Sequence, residues 1–189
     1  MDSLMLPVTL LVVQHTGRTS CFTPSTCASL TRAIQRFHMG QCGWLDIGYN
    51  FLVGGDGSVL VGRGWKLQGA HTSPWNSMSI GVGLMGNFIG SPSPTEAQRL
   101  ALELLASQGV LEGALRDDYQ VVGACQLKDT DSPGTVGMRW LRTVDHWSNY
   151  TTQAARCSAA VKQNERLENG YFDCNSHPNQ SNKQCKIAT

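Results

Sequence analysis

The chain has 189 residues, 41% hydrophobic and 15% charged, with a formal net charge of +1. Such a chain can close a core and is not disordered throughout. It offers no basic field for a nucleic-acid backbone. It also contains no apolar run near the roughly 20 residues that cross a bilayer. One domain over 1–150 is expected, followed by a polar, cysteine-containing tail over 151–189.

The opening MDSLMLPVTLLVVQHT lacks a basic n-region, and its apolar run continues into His15. It reads as a core strand over 8–14, buried on both faces, and not as a signal peptide. A helix is expected from Pro24 to His38, capped by Thr23, with Cys27, Leu30, Ile34 and Phe37 on one face. Residues 48–54 and 58–62 flank Gly55-Asp56-Gly57 and predict a hairpin. A long loop runs to about Met78, and residues 79–87 form a strand whose glycines predict close approach of backbone or rings. Ser93-Pro94-Thr95-Glu96 predicts a capped helix with proline in its first position. Its apolar stripe is Leu100, Leu104 and Leu105, and Gly109 marks its end. Residues 119–122 read as a short strand and 123–135 as a loop. A last amphipathic helix carries Val136, Trp140, Val144 and Trp147 on one side. Strands alternating with helices give an α/β domain with one mixed central sheet and helices on its faces.

Seven cysteines occur without a CxxC pair, which argues against a zinc ribbon or a thioredoxin-like motif. They are either a few buried thiols or the mark of an extracellular protein with at least one disulfide. Sequons at Asn149 and Asn179 are compatible with secretion. Cys125 reads as a buried thiol, because nothing near it in sequence lowers its pKa. Of the five histidines, His15, His38 and His71 stand at a strand end, a helix end and a long loop, where α/β domains place their sites. His146 and His177 read as incidental. Trp44, Trp65 and Trp75 all lie in glycine-rich loops. They either cover the edge of the core or wall a groove for a sugar or glycopeptide. No P-loop and no GxSxG elbow is present.

Several ordered motifs together resemble the peptidoglycan recognition protein family. They are QHTG with SCFTPSTC, IQRFHMGQCGWLDIGYNFLVGGDGSVLVGRGW, GAHT, SIGVGLMGNF, EGALRDDYQVVG and DTDSPG, spread from about Leu10 to Tyr150. The resemblance implies the fold of the type-2 amidases and a groove for muramyl peptides of bacterial cell walls. It also implies a secreted protein of innate immunity. Catalytic members of the family are zinc amidases that cut between N-acetylmuramic acid and L-alanine, with two His and one Cys as ligands. Here the three ligand positions carry Gln14, Ala124 and Ser132. Tyr49 and Thr130 match assisting positions.

A non-cleaving peptidoglycan receptor without a cofactor is therefore expected. The alternative is an N-acetylmuramoyl-L-alanine amidase with residual zinc-dependent activity, and a third possibility is a scaffold that has lost its ligand. The groove positions that match are His15, Thr16, His38, Gly43, Trp44, Tyr49, Arg63, His71 and Asn76. In the family, Gly43-Trp44 with Arg63 goes with stems that carry diaminopimelate. The resemblance also implies a Cys21–Cys27 disulfide. Family domains usually carry a further cysteine-bearing segment ahead of the first strand, where this chain has about ten residues.

Overall fold

The computed structural model describes residues 1–157, so the expectations for Cys174, His177, Asn179 and Cys185 fall outside it. In chain order the elements are β1 (Val8–His15), α1 (Pro24–Gly40), β2 (Phe51–Val53), β3 (Val59–Val61), a 3-10 turn (Trp75–Met78) and β4 (Ser79–Leu84). There follow α2 (Glu96–Leu111), β5 (Leu115–Gly123), α3 (Ala124–Leu127) and α4 (Thr135–Leu141). The strands form one sheet in the order β3-β2-β4-β1-β5. Strand β1 is parallel to both its neighbours, β2 is parallel to β4, and only the hairpin partner β3 is antiparallel. The mixed sheet expected from the alternating pattern is thus present. Strand β1 lies inside the sheet, between β4 and β5, which explains the apolar run buried over residues 10–13.

Strand alternation divides the sheet into two faces. On one face Leu11, Val13, Ile80, Val82, Phe51, Val53 and Val121 form the main core. Helices α2 and α4 cover it with Leu102, Leu105, Met138 and Leu141. Each such side chain, once buried, contributes about 1.5–3 kcal/mol. The opposite face carries Leu10, Val12 and Gln14 on β1, Leu52 on β2, and Gly81 and Gly83 on β4. Helix α1 covers only its β2 side, through Cys27 and Ile34 packed near Leu52, Ile47 and Met85. The rest of that face, toward β1 and β5, lies outside the α1 packing.

Helix α1 starts as expected. The Thr23 hydroxyl accepts from the Thr26 N–H, and Pro24 occupies the first turn. The hairpin turn also forms, with Asp56 accepting from the Ser58 N–H and Gly57 at φ +85°.

Helix α2 departs from expectation in three ways. Its N-cap is Thr95, paired with Gln98 in a capping box, so Pro94 precedes the helix. Leu100 and Leu104 are 54% and 70% exposed, while Ala101, Leu102, Leu105 and Ala106 face the sheet. Small alanines allow the helix close to the sheet, and a leucine count cannot register that. Gly109 does not end the helix. It is buried where the Trp65 ring crosses, and a Cβ there would collide with it.

Strand β5 begins at Leu115, earlier than expected, and the expected loop at 123–135 contains α3. Helix α4 stops at Leu141, so Val144 and Trp147 pack onto the core from beyond its end. Trp65 is not a groove residue, because its ring lies 4.3 Å from Phe51 in the main core. Cys125 is not a free thiol. It is joined to Cys157, and Cys21 is joined to Cys27 as the resemblance implied. Cys42 is disulfide-bonded as well. Among the described residues no cysteine is free.

Candidate functional site

The floor of the candidate site is set by two glycines of β4. A Cβ on Gly81 would overlap the His71 ring, and one on Gly83 would stand 3.2 Å from the Tyr49 ring. Both rings therefore lie directly on the sheet, which is the close approach the glycines of this strand predicted. Gln14 stands beside them, since it pairs with Gly83 in the parallel register. Its Nε2 donates to the carbonyl of His71 at 2.8 Å.

The loop that carries His71 is held from within. The Asn76 Oδ1 accepts from the N–H groups of His71 and Thr72, at 3.0 and 2.6 Å. His71 Nδ1 lies 3.1 Å from the Thr72 hydroxyl, whereas its Nε2 is buried without a hydrogen-bond partner. Burial, with help from the positive charges of Arg63 and Lys128, pulls the pKa of His71 down to about 3. The ring is neutral at physiological pH.

At the β2 end, His38 closes the wall. Its Nδ1 accepts from the Gly48 N–H at 3.0 Å, and its ring lies 4.6 Å from that of Trp44 and 5.9 Å from that of Tyr49. Burial and then the Arg63 charge lower its pKa to about 4. Gly43, at φ +68°, turns the chain into Trp44, whose N–H donates to the His38 carbonyl. Only glycine adopts that backbone readily.

Arg63 is 9% exposed and donates to three carbonyls, those of Ile47, Gln68 and Asp46. Burial lowers its pKa and Asp46 acts against that. Three of its five N–H donors are so engaged, which also ties the turn at 46–47 to the loop that follows β3.

The third corner lies beyond β1. Val13 pairs with Gly123, so Ala124 follows directly at the end of β5. The Cys125 N–H donates to the Ser132 carbonyl, and the Ser132 hydroxyl accepts from the His15 N–H at 2.9 Å. Gln14, Ala124 and Ser132, far apart in sequence, therefore converge at the same end of the sheet. The Thr130 hydroxyl accepts from the Ser132 N–H at 3.3 Å. No group of three or more His, Cys, Asp or Glu that could hold a metal occurs among the described residues.

Thus the structure brings His38, Trp44, Tyr49, His71 and Asn76 to one face, with Gly43 and Arg63 behind them. His15 lies apart. It alternates onto the face of the main core, where its Nδ1 accepts from the Phe88 N–H and burial lowers its pKa to about 4. Thr16 is buried and pins Gly86, whose N–H donates to its hydroxyl. Sequence reasoning missed Asn50. Its amide donates to the carbonyls of Gly64 and Leu67 and accepts from the Gly81 N–H, so it clamps the loop to the groove floor. A polar residue inside an apolar strand motif was the available signal.

The N-acetylmuramoyl-L-alanine amidase family model matches residues 4–135, which include all five strands of this sheet. Peptidoglycan recognition protein 1 of Mus musculus is 41% identical over 145 residues, covering 76% of this chain and 78% of that protein. Peptidoglycan-recognition protein SC2 of Drosophila melanogaster is 42% identical over 139 residues, 74% of this chain and 73% of that one. The chain belongs to the peptidoglycan recognition protein family. Among solved structures, the ectodomain complex of peptidoglycan recognition proteins LCa and LCx bound to tracheal cytotoxin superposes with a TM-score of 0.76. That match is at 40% identity and covers 78% of this chain and 89% of the other. The bumblebee PGRP-SA structure gives a TM-score of 0.77 at 37% identity, covering 80% and 90%.

Proposed function

We propose that this chain binds muramyl peptides of bacterial peptidoglycan in the groove over β4 and β1, and does not cleave them. The support for binding is the family, including a relative of similar fold solved with tracheal cytotoxin, together with a preformed floor of His71 and Tyr49. The buried His71 Nε2 is a groove atom whose hydrogen bond remains to be supplied.

The second half rests on the state of Gln14, Ala124 and Ser132, which the resemblance sets at the zinc positions of the catalytic members. Zinc takes Cys sulfur, His nitrogen or carboxylate oxygen. Ala124 has no donor atom, Gln14 turns its Nε2 toward the His71 carbonyl, and the Ser132 hydroxyl is held by the His15 N–H. This set does not fit zinc, and no hydrolytic step through a metal is assigned.

A preference for diaminopimelate stems rests on Gly43-Trp44 and Arg63. The two N–H donors of Arg63 outside its carbonyl bonds can meet the extra carboxylate in a charge-assisted pair. An extracellular setting is supported by the Cys21–Cys27 and Cys125–Cys157 disulfides.

The test pairs two assays. The protein should be retained on insoluble peptidoglycan, and muropeptides incubated with it and added zinc should stay intact. Absence of retention overturns the binding. Release of stem peptide that chelation abolishes overturns the non-cleaving half and favours a residual amidase.

A further inference from the structure

Trp75 opens the 3-10 turn and packs beside Leu10, Val12, Val122, Ala124 and Leu127 on the groove face. It is only partly buried there. The Tyr150 ring meets it edge-on, with centroids 5.9 Å apart and planes at 77°. Tyr150 is 41% exposed and belongs to none of the core clusters. Packing does not require a large ring at that position.

The backbone under this ring is fastened at several points. The Gln126 amide donates to the carbonyls of Ser148 and Tyr150, at 2.9 and 2.7 Å, and accepts from the Gly123 N–H. Every hydrogen-bonding capacity of that buried side chain on its nitrogen is engaged. The Thr152 N–H donates to the Gln126 carbonyl, and the Arg156 N–H to that of Cys125. The Cys125–Cys157 disulfide closes the end of the strap. Residues 148–157 thus hold Tyr150 through main-chain bonds, independently of its own ring.

The strand order places this pair relative to the groove. Trp44, His38 and Tyr49 stand toward β2 and β4, Gln14 over β1, and Ala124 and Trp75 toward β5. Strands lie about 4.8 Å apart, so the line from β2 to β5 is about 14 Å long. A stem of three extended residues takes about 10 Å of it. On the proposed reading that the third stem residue meets Arg63, the glycan points past Ala124 toward Trp75 and Tyr150.

We propose that Trp75 and Tyr150 form a subsite for an N-acetylhexosamine ring of the glycan strand, beyond the sugar that bears the peptide. The C–H face of the sugar packs against this edge-to-face aromatic pair, and the strap fixes the backbone that carries Tyr150. This inference rests on the peptidoglycan reading above.

Calorimetry with a single-sugar muramyl tripeptide and with a tetrasaccharide carrying the same stem tests it. The wild type should bind the longer glycan about two- to tenfold more tightly, the scale of one aromatic contact. Tyr150→Ala should abolish that gain and leave the single-sugar affinity within about twofold, and Tyr150→Phe should keep the gain. Equal affinity of the wild type for both ligands overturns the subsite. So does an equal loss for both in Tyr150→Ala. If neither ligand binds the wild type, the peptidoglycan reading itself falls, and the subsite with it.

Discussion

Gln14 Nε2 donates a buried hydrogen bond of 2.8 Å to the carbonyl of His71, 57 residues away in sequence. The bond ties the middle of the sheet to the loop that forms the groove floor. The amide braces the His71 loop against β1. Gln14→Met keeps the volume and removes the donor. It should lower stability by about 1–3 kcal/mol, the cost of a buried carbonyl left unpaired. Urea denaturation measures this, and a midpoint equal to the wild type would show the bond to be dispensable.

Gly81→Ala places a methyl group in the His71 ring. The ring lies between the sheet and its own loop, so it cannot retreat without moving Thr72 and Asn76. The expected loss is about 1–3 kcal/mol from overpacking, with muropeptide affinity falling as well. Thermal unfolding and a binding isotherm read the two effects, and unchanged values in both would contradict the tight seat of the ring.

His38 and His71 are held neutral, with pKa values of about 4 and about 3 against an ordinary 6.5. Because both are depressed in the fold, the unfolded chain takes up protons first as pH falls. Their contribution is complete above about pH 6.5 and is lost progressively toward pH 4 and below, with each histidine giving a slope of up to about 1.4 kcal/mol per pH unit. The urea midpoint should decline from pH 7 through 6 to 5. A flat profile over that range would refute neutral burial of the two rings.

Arg63→Lys keeps the charge but loses the fork. The ratio of affinities for diaminopimelate and lysine stems should fall toward one, a change of about 1.5–3 kcal/mol in the preference. The ratio is the informative quantity, because Arg63 also ties together three carbonyls and its loss weakens the fold. Matched tripeptides in a calorimeter decide it, and a ratio left intact would remove Arg63 from the selectivity.

The Cys21–Cys27 bridge joins cysteines six positions apart beside the N-cap of α1. Replacing both cysteines by serine should cost about 2–3 kcal/mol, the scale of a short loop. Chemical denaturation of the double variant checks it, and an unchanged midpoint would assign the bridge no stabilising role.

What the sequence determined by itself is what local physics determines. The β-branched run at 8–14 is a central strand because its side chains suit burial on both faces. Thr23-Pro24 starts α1 because hydroxyl and ring satisfy the first turn. Asp56-Gly57 closes the hairpin because the carboxylate accepts from the N–H and hydroxyl of Ser58. The glycines of β4 announced rings on the sheet.

Tertiary structure decided the rest, wherever the outcome depends on what lies across from a residue. The face of α2 was set by how close alanines let it approach, so leucines at 100 and 104 point to water. Cys125 found its partner because the chain beyond α4 turns back over α3, and no spacing encodes that return. His15 and Gln14 are neighbours in sequence, yet strand alternation sends them to opposite faces, one to Phe88 and the other to His71. Bonds spanning 57 to 117 residues, such as Gln14 to His71 and His15 to Ser132, exist only once the parallel register of β1 has brought their loops together.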